Sequence, residues 1–100
     1  MTLVLEFVLP PNAGEAVDDC VRITLEPYFS RFELTLEPRH TMLIDDEGRF
    51  RMVPTTAFRF VAYEERASLT DRIRIELEQT IHDCFMRANA PGDHSVRWEE

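Results

Sequence analysis

Four runs decide the fold: Phe32-Glu33-Leu34-Thr35-Leu36-Glu37, Thr41-Met42-Leu43-Ile44, Arg49-Phe50-Arg51-Met52-Val53 and Ala57-Phe58-Arg59-Phe60-Val61-Ala62-Tyr63-Glu64. They are rich in β-branched, aromatic and aliphatic residues, and where polar residues alternate with apolar ones each run has one face to bury. Pro38, the acidic turn Asp45-Asp46-Glu47-Gly48 and Pro54 separate them, so the stretch predicts strands over 32–37, 41–44, 49–53 and 57–64. Gly48 suits the left-handed position that closes a hairpin loop.

Toward the N-terminus, Leu3, Leu5, Phe7 and Leu9 alternate with Val4, Glu6 and Val8, which predicts a strand over Thr2–Leu9. After Pro10-Pro11, Asn12 with Glu15 has the form of a capping box. Val17, Cys20, Val21, Thr24, Leu25, Tyr28 and Phe29 then recur at helical spacing, with a kink or end expected near Pro27. A competing reading takes Val21, Ile23 and Leu25 as a strand, supported only by the echo of Ile23-Thr24-Leu25-Glu26-Pro27 in Leu34-Thr35-Leu36-Glu37-Pro38. Toward the C-terminus, Ser68 with Asp71 opens a helix running to about Asn89 before Pro91-Gly92, with a core stripe of Leu69, Ile73, Leu77, Ile81, Cys84, Phe85 and Ala88. Ser95-Val96-Arg97-Trp98 closes the chain as a short strand.

Strand, helix, several strands, helix, strand is the ferredoxin-like α+β plan: an antiparallel sheet with both helices on one face. Residues 1–100 make one domain, because a second core would lack apolar surface. The segment between the helices exceeds what the plan needs, so an extra β-hairpin is expected to project from the sheet. The favoured facing buries Leu3, Leu5, Phe7, Leu34, Leu36, Phe58, Phe60 and Ala62 under the helices. It leaves Val4, Val8, Arg59, Val61 and Tyr63 on the open face.

Thr56-Ala57-Phe58-Arg59-Phe60-Val61-Ala62-Tyr63 resembles the aromatic strand of the RNA-recognition motif, a family with the same element order. The resemblance covers eight residues and implies that Phe58 and Phe60 face outward to stack on bases. Thr56 stands where that family has a cation and Arg59 where it has a small residue. The same facing would bury Glu6 without a partner, which is costly.

Charge narrows the function classes. The chain has no lysine, and its 11 arginines stand against 19 Asp and Glu, for a formal charge of −8. That balance opposes direct nucleic-acid binding and attachment to an anionic membrane. The apolar N-terminus lacks a basic residue and is interrupted by Glu6, so it reads as neither signal peptide nor membrane span, and cytoplasmic residence is the default expectation.

Catalytic and cofactor motifs are missing. Gly14, Gly48 and Gly92 are isolated, so neither a P-loop nor a dinucleotide fingerprint can be built. Ser30, Ser68 and Ser95 lie outside any nucleophile elbow, and His40, His82 and His94 have no zinc-ligand spacing. The acidic turn lacks the downstream ligands of a calcium loop. Cys20 and Cys84 have no metal or redox spacing and read as two buried free thiols on helix faces. A disulfide between neighbouring helices is the alternative.

The reading is therefore a small, acidic, non-enzymatic protein-binding module, with no cofactor and no metal. Its inhibitor form, of anti-defence or immunity type, would engage a basic surface on a nucleic-acid-handling protein. The alternative is a homodimeric regulatory domain that binds a small molecule. The candidate contact residues are Asp45, Asp46 and Glu47 on the acidic turn, Arg59, Val61 and Tyr63 on the open sheet face, and Ile75, His82 and Met86 on the outer side of the last helix.

Overall fold

In the computed structural model, which describes residues 1–90 and 94–100, six elements follow one another: β1 (Thr2–Leu9), α1 (Pro11–Leu25), β2 (Phe29–Ile44), β3 (Phe50–Glu65), α2 (Asp71–Arg87) and β4 (His94–Glu99). The strands form one antiparallel sheet in the order β2-β3-β1-β4, the ferredoxin-like arrangement. Registers Leu3↔Ala62, Leu5↔Phe60 and Phe7↔Phe58 line up the apolar members of β1 and β3 on one face. They pack against Val17, Val21 and Leu25 of α1 and Leu77, Ile81, Cys84 and Phe85 of α2. Phe7 stacks on Phe58 at 4.8 Å between ring centres and meets the Phe85 ring edge-on at 5.1 Å. Phe58 and Phe60 therefore lie in the core, not on an outward stacking platform.

Both helix starts differ from the sequence expectation. α1 begins at Pro11, and Pro10 holds the cap position without a side-chain hydrogen bond, so Asn12 and Glu15 form no capping box. Proline at the first helical position is already set to helical φ, which moves the start forward to the Pro-Pro pair itself. α2 is capped by Thr70, whose hydroxyl accepts from the Ile73 amide at 3.3 Å, and Ser68 stays outside the helix. α1 ends at Leu25, ahead of Pro27, so residues 21–25 are helical and the competing strand reading falls. The Pro91-Gly92 break expected after α2 lies outside the described residues.

Cys20 and Cys84 are not free thiols. They form a disulfide that ties α1 to α2, with a Cα–Cα distance of 5.7 Å, inside the range that a bridge requires. Each cysteine is on its helix's apolar side but at the shoulder facing the other helix. Sequence spacing cannot report that lateral pairing.

The four short strands expected over 32–64 are two continuous strands of 16 residues each. Pro38 and Pro54 interrupt neither. β2 is the sheet edge, and pairing of β1 with β3 ends at Leu9↔Thr56, so each proline lies where its strand has a free side. Beyond that point residues 39–55 pair only with each other, from Arg39↔Thr55 to Ile44↔Phe50. This ribbon is the expected extra hairpin, and with it the molecule measures 52 × 22 × 20 Å.

Candidate protein-binding surfaces

Three surfaces carry the residues expected to meet a partner, and they differ in what they present. The turn closing the ribbon is a self-satisfied unit. One Asp45 carboxylate oxygen accepts from the Glu47 and Arg49 amides at 3.0 and 2.8 Å, while Gly48, at φ 78°, donates to the Asp45 carbonyl at 3.0 Å. Arg49 also forms ion pairs with Asp45 and Glu47. The single Arg49 cation is shared by Asp45 and Glu47 and offsets one of the three negative charges, so the turn projects less charge than its three acids alone would.

The open sheet face, expected to mix Arg59 and Tyr63 with exposed valines, presents charged pairs over valines that are buried. Cross-strand registers build the row Glu33, Val61, Val4, Arg97, which has the row Thr35, Arg59, Glu6, Ser95 on one side and the pairs Arg31↔Tyr63 and Thr2↔Glu99 on the other. Arg97 pairs with Glu6 at 3.0 Å, Arg31 pairs with Glu33 at 2.8 Å, and the Tyr63 hydroxyl donates to Glu33 at 3.1 Å. The Arg31 guanidinium also lies 5.4 Å from the Tyr63 ring centre. Under these side chains Val4 and Val61 are only 1% and 3% exposed, so Val61 is not available to a partner. Arg59 is exposed and Tyr63 half-buried. The Tyr63 hydroxyl is shifted above its ordinary pKa of 10.0, first by desolvation and then by the hydrogen bond to, and charge of, Glu33.

On α2, Ile75 and Met86 are exposed, as expected, but Gln79 and His82 lie between them. Eleven residues of helix separate the two apolar side chains by about 16 Å, so they do not form one patch. His82 leans toward His94, which stacks on Phe85 at 4.2 Å.

The largest apolar exposure is on residues the sequence reading treated only as strand. In the ribbon, cross-strand partners share a face, and the face continuous with the core carries Pro38↔Thr56, His40↔Pro54, Met42↔Met52 and Ile44↔Phe50. Met42, Ile44, Phe50 and Met52 are 58%, 66%, 71% and 55% exposed. Leu36, placed under the helices by the sequence reading, is 54% exposed at the base of the same face, because β2 runs out past the end of the helix layer. These four ribbon side chains leave roughly 400–500 Å² of apolar surface in one patch, toward the top of what a typical monomer shows. The available signal was the apolar character of both 41–44 and 50–53 at positions too far from either helix to be covered.

At the ribbon base, the open face holds a groove of about 200 Å³ lined by Glu6, Thr35, Glu37, Arg39, Ala57 and Arg59, among others. Among the described residues no group of three or more His, Cys, Asp and Glu side chains is placed to hold a metal. No helix among the described residues is long and apolar enough to cross a membrane.

No family model and no curated protein matches the chain. Among solved structures it is similar to GlnK of B. subtilis, with 11% sequence identity, a TM-score of 0.37, and coverage of 96% of this chain and 81% of that chain.

Proposed function

We propose that this chain is a non-enzymatic protein-binding module whose principal contact element is the β2–β3 ribbon. The observation that carries the reading is the ribbon's apolar face, where four large side chains, each more than half exposed, stand as two cross-strand pairs. An apolar patch near the top of the range that monomers expose is often functional. The formal charge of −8 supports a partner with a basic surface, since opposite charge speeds encounter and orients it. The same charge supports an inhibitor form aimed at a nucleic-acid-handling protein, since rows of carboxylates can imitate phosphate. Cytoplasmic residence carries a condition here: a reducing compartment would hold the Cys20–Cys84 bridge open.

A second reading, a regulatory domain for a small molecule, is favoured by the groove at the ribbon base, where Arg39 and Arg59 stand near Glu6 and Glu37. The experiment is capture from nuclease-treated source lysate by the wild type and by Phe50→Glu. The module reading expects a stoichiometric partner retained by the wild type and lost by the variant. Equal retention by both would move the contact away from the ribbon.

A further inference from the structure

We propose that the apolar face of the ribbon is covered by the same face of a second copy of this chain, in a two-fold dimer. This rests on reading the ribbon as a contact element and names its occupant. Charge carries the first step. Residues 39–55 hold three arginines, Arg39, Arg49 and Arg51, against three acids, Asp45, Asp46 and Glu47, so the whole formal charge of −8 belongs to the rest of the chain. Two bodies of like charge repel on approach. The ribbon is neutral, and a second copy can reach it at no such cost. It is also about 20 Å long, more than two screening lengths at physiological salt, so copies joined tip to base keep their bodies apart.

The second step is register. A two-fold axis through the His40–Pro54 pair lays Ile44 and Phe50 of one copy over the level of Leu36 in the other, four residues away on the same face. Met42 and Met52 then cover Pro38 and Thr56. Such a dimer covers every large apolar side chain on that face, including the Leu36 that the helix layer leaves exposed. The third step is area. Roughly 500 Å² from each copy gives about 1,000 Å² in total, the lower limit for a specific interface. The face offers a basic partner no matching charge, because the unbalanced acids lie on the body.

The test is sedimentation equilibrium of the purified chain, beside Phe50→Glu/Met52→Glu. Both positions are exposed, so the variant should fold, with its melting temperature as the control. The wild type is expected to sediment at twice the 11.7 kDa chain mass at tens of micromolar. The variant's dimer dissociation constant should rise at least about 100-fold. Raising salt from about 50 to about 500 mM should tighten the dimer, by screening the bodies. A wild type that stays monomeric at about 100 µM, or a variant that dimerises equally well, overturns the proposal. Oxidation of Met42 and Met52 separates this outcome from failure of the broader reading. Protection in concentrated purified protein supports the second copy. Protection in source extract alone removes the second copy and keeps the ribbon as a contact element, and protection in neither removes both.

Discussion

Reducing the Cys20–Cys84 bridge should cost this domain a large part of its stability. The bond closes a loop spanning 64 positions, and chain entropy then assigns it about 4 kcal/mol through the restriction of the unfolded state. A domain of this size has about 5–15 kcal/mol in total, so the reduced chain keeps between about a fifth and about three quarters of its stability. At about 0.2 kcal/mol per degree for 100 residues, the melting temperature should fall by about 20 °C. The assay is thermal unfolding of the wild type with and without reductant, beside Cys20→Ala/Cys84→Ala. The double variant should melt near the reduced wild type, displaced only by the small cavity at Cys84, and be indifferent to reductant. A reductant effect below about 1 kcal/mol would contradict this account, showing that the helices hold their spacing and the unfolded chain its compactness without the bond. A full effect would make stability depend on redox compartment.

Other expectations test the packing and the charge pattern. Gly14→Ala should cost about 1–3 kcal/mol by overpacking, because a Cβ there would lie 2.1 Å from the Phe58 ring; urea unfolding reads this directly. Thr70→Ala should cost about 1 kcal/mol and Ser68→Ala almost nothing, since only Thr70 caps α2; the two melting curves should separate accordingly. Tyr63 should ionise above its ordinary pKa of 10.0, and Glu33→Gln should bring it down, as followed by tyrosinate absorbance. The raised value means the folded state holds the phenolic proton more tightly than the unfolded one. That contribution is therefore complete below pH 10 and is lost as pH rises through the folded-state pKa.

The topology was legible because period-two and helical patterns alternate in an order that few small folds accept. The facing of β1 followed from one residue: Glu6 could not be buried unpaired, so Leu3, Leu5 and Phe7 went to the core, where the structure has them. The errors share a cause, which is that sequence spacing describes one element at a time. Pro38 and Pro54 read as strand ends because their free edges come from the sheet order. Val4 and Val61 read as a contact surface because the arginines and glutamates that cover them come from neighbouring strands. The disulfide depends on the lateral approach of two helices. The apolar ribbon face was overlooked for the same reason: Met42, Ile44, Phe50 and Met52 look like ordinary core until one sees that no helix reaches them.

Methionine oxidation in source extract tests the central reading most directly, because Met42, Met52 and Met86 are 58%, 55% and 58% exposed and form a matched set. Met86 lies on α2, away from the ribbon, and serves as the internal reference. If the ribbon is a contact element, dilute purified protein should oxidise at all three positions at similar rates, while in extract Met42 and Met52 should slow several-fold relative to Met86. Equal rates at the three positions, in extract and in concentrated purified protein alike, would leave the ribbon bare and contradict the proposed function.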